Sequence, residues 1–300
     1  MTRRMLKLVA GTAAAVMLLG GLSACSKSAV HVTPSIKNAI SELVSPPTEL
    51  ADGVTKAAVA CLARYGYSIP YDPAVRLAPQ NSITGVGGLF ASPDEAKRYG
   101  YNSTVKSDAE DPIEAYRDGL SAGAARQLDR RYLGGPDASP VSITLTSGAK
   151  ASMSGSGCLA TANREIYGSV KSALQISQFV NEVYAAVDTQ AVIQAVRGAL
   201  PAYEKCMKRH DYHVNGLNAD KLAKAKFGQY RRAGDPPEPA EAEMAVQDAE
   251  CQEASGLVHR ANAAFYKGAA AWVANNQQMI LARQATLRTA EANAKRVLER

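Results

Sequence analysis

Four cysteines, Cys61, Cys158, Cys206 and Cys251, set the strongest limit on what this chain can fold into. The apolar fraction is 46%, much of it alanine, and only 6% of residues are aromatic. Alanine favours helix but buries little area per residue, so a thin, mainly α-helical core is expected. A thin core outside the cell calls for covalent staples, and in an exported chain the even number of cysteines left once Cys25 is set aside reads as two disulfides. The rival reading, a structural zinc site, lacks the C-x-x-C pair common in such sites.

The N-terminus supplies the compartment. Arg3, Arg4 and Lys7 lead into an apolar run from Leu8 to Leu22, and Leu22-Ser23-Ala24-Cys25 closes it. Basic, then apolar, then small is the order of a secretory signal, here residues 1–24. Roughly 15 apolar or small residues are too few for a spanning helix, which needs about 20. The ending resembles a bacterial lipobox. That resemblance implies cleavage after Ala24 and a diacylglycerol-modified, palmitate-bearing Cys25 as the new N-terminus. It makes Cys25 the lipid anchor, with the membrane as a partner and the extracytoplasmic face of the cell membrane as the location. Three of the positive charges in a +6 chain lie in the signal, which has no acid, so the remainder is near +3. That balance gives no reason to expect a nucleic-acid partner.

Residues 25–34 read as a tether, with His31 as a solvated linker residue. Helical spacing begins near Ser35 and is strong from Glu49 to Tyr65, where Leu50, Val54, Ala57, Ala58, Cys61 and Leu62 share a stripe and Gly66 stops the helix. The segment Pro70 to Pro79 reads as irregular. Gly85-Val86-Gly87-Gly88 reads as a flexible loop, and without a leading hydrophobic strand it is no phosphate-binding fingerprint. Ser92-Pro93-Asp94-Glu95 and Asp111-Pro112-Ile113-Glu114 each give a cap, a proline at the first helical position and an acid at the third, which explains Glu95 and Glu114 as structural. Val141 to Thr146 alternates as a strand that turns back through Ser154, giving one hairpin. Ser156-Gly157-Cys158 then opens a helix, and the glycines around Ser156 do not make a nucleophile elbow.

Beyond Val170 the pattern is helical. One helix is expected over about 170–186, another from a cap at Asp188 to about Arg209 with Pro201 kinking or dividing it, and a basic one from Asn218 and Asp220 through Arg232. His210 and His213 sit three apart and could ligate a metal. No third ligand is apparent beside them, so a helix-ending turn is the simpler reading. From about Glu238 an acidic beginning and a basic end fit one very long helix. Val258, Phe265, Trp272 and Met279 recur every seven residues, whereas beyond Ala285 the stripe is weak. That end is expected to project into solvent, and the fold is expected to survive truncation after about Thr286. His259 lies on this helix one turn after Ser255, with no acid spaced to support such a pair.

Cys61-Leu-Ala-Arg-Tyr-Gly-Tyr67 and Cys206-Met-Lys-Arg-His-Asp-Tyr212 align without gaps, and Ile69 corresponds to Val214. Each copy has one further cysteine, so a duplicated unit is expected, over 35–186 with the hairpin near 141–154 and over 187–300 with the long helix. Three pairings of four cysteines exist. The repeat favours Cys61–Cys158 and Cys206–Cys251.

These motifs, with Glu95-Ala-Lys-Arg-Tyr-Gly-Tyr101, Glu114-Ala-Tyr116, Gly157-Cys158 and Ala249-Glu250-Cys251, resemble a family of uncharacterised secreted proteins and lipoproteins from high-GC Gram-positive bacteria. Asp211 departs from the glycine usual there. Composition and the cysteines give the expected disulfide-stapled helical fold, and the resemblance brings no established activity. The expected function is therefore a non-catalytic binding or structural module of the cell envelope, with cell wall or an envelope protein as partner. No catalytic residue, cofactor or metal site is expected. A solute-binding lipoprotein associated with a transporter and an envelope hydrolase are the alternatives. Clustering of Tyr65, Tyr67, Tyr99 and Tyr101 around a pocket would favour either.

Overall fold

Five of the described α-helices begin where a short polar side chain holds a free backbone N–H group. The computed structural model describes residues 32–71, 83–106, 111–232 and 235–300. In chain order these form α1 (Pro34–Val44), α2 (Thr48–Ala63), α3 (Pro93–Tyr99), a 3-10 turn (Asn102–Thr104), α4 (Pro112–Asp118) and α5 (Ala122–Leu133). A hairpin of β1 (Pro140–Thr144) and β2 (Lys150–Ser154) follows, then α6 (Gly157–Tyr167), α7 (Val170–Ser177) and α8 (Phe179–Ala185). The chain ends with α9 (Thr189–Arg209), α10 (Ala219–Phe227), α11 (Pro239–Ala254) and α12 (Leu257–Leu298). Ser92 Oγ accepts the Glu95 N–H at 3.1 Å, and Asp111 Oδ1 accepts that of Ile113 at 2.8 Å. Asp188 Oδ1 accepts from Gln190 N at 3.0 Å and Ala191 N at 3.2 Å. The two strands pair antiparallel, Pro140 opposite Ser154 and Thr144 opposite Lys150, and Ile143 and Leu145 pack on Leu174.

Both disulfides form as the repeat requires. Cys61–Cys158 joins the last turn of α2 to the first turn of α6, and Cys206–Cys251 joins the last turn of α9 to α11, each with Cα atoms 5.5 Å apart. The two Cys-bearing helix ends are built alike. Tyr67 N donates to Leu62 O at 3.4 Å, and Tyr212 N donates to Met207 O at 3.1 Å. In each case the residue before the tyrosine, Gly66 or Asp211, takes a positive φ. This is the chain reversal that lets a left-handed residue satisfy the last carbonyls of a helix.

Four expectations are corrected. The helix over 170–186 is two, α7 and α8, meeting at Gln178, where the Ser177 hydroxyl takes the Leu174 carbonyl at 3.1 Å in competition with the helical bond. The basic helix ends at Phe227 because Gly228 leaves helical geometry at φ +73°. The chain then runs beside Val105, with Lys106 N donating to Arg231 O at 2.8 Å. The long helix from 238 is broken at Gly256, whose φ of +69° separates α11 from α12. Finally, the end of α12 does not project. Leu287, Ala290, Ala294 and Val297 are buried there, and a side chain on Gly53 of α2 would come within 2.8 Å of Ala294 Cβ. Alanines make a weak hydropathy stripe but let helix axes approach closely, so the packing is tight where the pattern looks poor. Pro201 lies inside α9 without dividing it.

The described residues belong to one compact unit. One core gathers α1, α2, α6 and most of α12, and a second gathers the end of α9 with α10, α11 and the start of α12. Elements of the two sequence units are therefore interleaved: α12, from the second, lies against α1, α2 and α6 of the first. Polar side chains tie that contact, with Gln284 Nε2 donating to Glu42 Oε2 at 2.8 Å and Asn293 Nδ2 to Ile166 O at 2.8 Å.

Candidate functional site

The second core carries an open cleft of about 300 Å³. One wall is the glycine loop at 87–90. The second is the end of α3 and the 3-10 turn, residues 99–103, and the third is Leu217 with Asp220 and Lys221 at the start of α10. Two motifs evident in the sequence, the glycine loop and the Glu95 to Tyr101 stretch, thus meet across one cavity. Ser103 Oγ donates to Asp220 O at 2.6 Å and joins two of the walls. Glu95 both lines the cleft and closes its own helix start, accepting from Ala91 N at 2.8 Å.

Behind the cleft lie two buried carboxylates. Glu241 Oε1 accepts from Tyr101 N at 2.7 Å, Thr104 Oγ1 at 2.9 Å and Arg231 Nη2 at 3.1 Å, and its Oε2 accepts from Tyr230 OH at 2.7 Å. Arg231 spends its remaining donors on Thr104 Oγ1, Tyr99 O, Tyr101 O and Asp235 O. Gly100 passes so close that any Cβ there would strike Glu241 Oε1, and its φ of +59° favours glycine as well. A buried ion pair contributes little net stability, but a carboxylate or guanidinium left alone there would cost several kcal/mol, about 3–5. The pair clamps the Tyr99–Thr104 turn in one conformation.

Asp248 is the other. Its Oδ2 accepts from Tyr101 OH at 2.9 Å, and its Oδ1 accepts from Tyr203 OH at 2.8 Å and Gln252 Nε2 at 2.9 Å. Gln252 Nε2 also donates to Gly88 O at 2.8 Å, and its Oε1 accepts from Phe90 N at 3.0 Å. One carboxylate and one amide therefore hold opposite walls of the cleft, through Tyr101 on one side and the Gly88–Phe90 backbone on the other. Burial pushes the Asp248 carboxyl up to about 6 against the pull of its three donors. Tyr101 and Tyr203 are raised by burial first and then by the Asp248 charge.

The residues singled out in the sequence are distributed unevenly. Cys25 and His31 lie outside the described residues, as does most of the Pro70–Pro79 segment. Of the four tyrosines, Tyr99 and Tyr101 line the cleft. Tyr65 lies instead under the Arg131 guanidinium at 4.5 Å, and Tyr67 meets Tyr116 edge-on at 6.4 Å. His259 is exposed on α12, and the Ser255 hydroxyl donates to Gln252 O at 3.1 Å. The histidine pair is separated in role: His210, not His213, stands beside sulfur. Among the described residues one group of metal-type donors converges, Cys206, His210 and Cys251, with the two sulfurs joined as a disulfide.

Sequence reasoning missed Arg231, Glu241, Asp248 and Gln252. In the sequence Glu241 and Asp248 fall within the acidic beginning of the long helix expected from about Glu238. A signal was nonetheless present: Glu241, Met244, Ala245, Asp248, Cys251 and Gln252 fall on one helical face, and a face that holds a paired cysteine must point inward. No family model, curated protein or solved structure matches this chain.

Proposed function

We propose that this chain is a lipid-anchored extracytoplasmic protein, held to the membrane through Cys25, and that it is a non-catalytic binding module of the cell envelope whose ligand seats in the cleft. The observation that carries this reading is the fixing of opposite cleft walls by buried groups. Asp248 and Glu241 spend their acceptor capacity on internal donors, which suits a preformed recognition surface more than proton transfer. The lining mixes Phe90 and Tyr99 with Glu95, Asp220 and Lys221. That mixture suits a ligand with one apolar face and several hydroxyl or amino groups, as cell-wall fragments have. The two disulfides fit an oxidising, extracytoplasmic compartment.

A cleft of this size stands at the small end of the range for small-molecule sites, so a solute-binding lipoprotein associated with a transporter is the second reading. Calorimetric titration of the mature chain with soluble wall fragments, and separately with free sugars and amino acids, divides the two. Binding of fragments that Tyr99→Ala and Asp220→Ala each weaken at least tenfold supports the first. Binding of free solutes alone favours the second, and turnover of any fragment would refute the non-catalytic reading.

A further inference from the structure

We propose that Cys206, Cys251 and His210 form a binding site for a thiophilic divalent cation of the zinc type, assembled only when the Cys206–Cys251 bridge is reduced. The proposal is independent of the cleft. In the oxidised chain the sulfurs are bonded to each other, and a ring nitrogen of His210 lies within 4.8 Å of both. Cys206 and His210 are four residues apart across the last turn of α9 and its cap, so they share a face, and Cys251 meets them from α11. The imidazole is exposed and makes no hydrogen bond to any described residue, while both sulfurs are buried. One donor thus faces the side from which an ion arrives, and two lie behind it.

The chemistry balances with a dithiol as reductant. Its two electrons break the S–S bond, each protein sulfur takes up one proton, and the reductant leaves as its own disulfide. Attack falls on Cys206, which is 7% exposed, because Cys251 is fully buried. Binding the cation displaces the two thiol protons, and two thiolates neutralise its charge. Zinc–sulfur bonds of about 2.3 Å in a tetrahedron place the sulfurs about 3.8 Å apart. The Cα atoms are already 5.5 Å apart, so side-chain rotation supplies the change. Three protein ligands leave the fourth position to water.

The first repeat is an internal control. The position equivalent to His210 is Tyr65, whose ring is engaged by Arg131 at 4.5 Å, and a neutral phenol is a poor ligand for zinc. The reduced chain should therefore hold one ion rather than two.

The test titrates the full mature chain with Co²⁺ as a zinc probe, with and without a phosphine reductant, which takes oxygen from water and leaves no competing thiol. Expected are one Co²⁺ per reduced chain, a thiolate-to-cobalt charge-transfer band, and neither in the oxidised chain. His210→Ala should weaken binding at least tenfold and His213→Ala should not. Circular dichroism is read in the same samples. If reduction loosens the helices, one equivalent of Co²⁺ should restore them in the parent and not in His210→Ala. No band on reduction, two ions per chain, or equal affinity in His210→Ala overturns the proposal.

Discussion

Asp211 holds at the end of α9 the backbone conformation that Gly66 holds at the end of α2, with φ of +63° against +88°. Among the described residues it is the one non-glycine with positive φ. The same reversal thus occurs in both repeats although only one has the residue best suited to it. An L side chain in this region costs roughly 1–2 kcal/mol, and less for Asp, whose short polar side chain is tolerated there.

Gly66→Ala should lower stability by about 1 kcal/mol, the left-handed strain less the entropy that alanine removes from the unfolded chain. Asp211→Gly should be neutral or stabilising by under about 1 kcal/mol. Urea unfolding of the oxidised chain measures both. Equal losses from the two changes would mean that the reversals are not equivalent.

The pH dependence of stability should carry the signature of Asp248. Its folded-state value is raised by burial from 3.8 to about 6, so the folded chain holds this proton more tightly than the unfolded chain. The stabilisation is fully present below about 4 and is lost as pH rises to about 6, at most about 3 kcal/mol. The stability of the parent minus that of Asp248→Asn should therefore fall between pH 4 and 7, whatever constant offset the amide introduces. A flat difference in urea unfolding across that range would show that Asp248 does not titrate as its burial requires.

Truncation after Thr286 should abolish cooperative folding. It removes Leu287, Ala290, Ala294 and Val297 from the first core, along with the bond from Lys56 Nζ to Leu298 O at 2.9 Å. Burying Leu287 alone contributes about 1.5–3 kcal/mol, a large share of a marginal total. A thermal melt of the truncated chain that keeps the parent midpoint would contradict the packing of α12.

Cys25→Ala should release the protein to the medium or leave an uncleaved precursor. One acyl chain holds a protein only marginally and two hold it stably, so on the proposed lipid-anchor reading the substitution removes the whole anchor. Membrane fractionation with mass measurement of the N-terminus checks this, and unchanged processing and retention would refute it.

Much of this molecule was legible because the signals were local. Ser92, Asp111 and Asp188 cap helices through bonds spanning two or three residues, and the hairpin needs only alternation and a turn. The disulfide pairing was readable because a similar short stretch, Cys61 to Tyr67 and Cys206 to Tyr212, occurs twice. Tertiary structure decided the rest. Whether the end of α12 packs depended on Gly53 lying 241 residues away from Ala294, and alanine carries no pattern strong enough to announce that. The cleft joins residues 87–90 and 99–103 with Leu217, Asp220 and Lys221, and its support comes from Arg231, Glu241, Asp248 and Gln252, whose polarity reads as solvent exposure until the fold encloses it. Burial is a property of the assembled chain. A sequence shows which groups can hydrogen-bond, and only packing determines which of them must do so away from water.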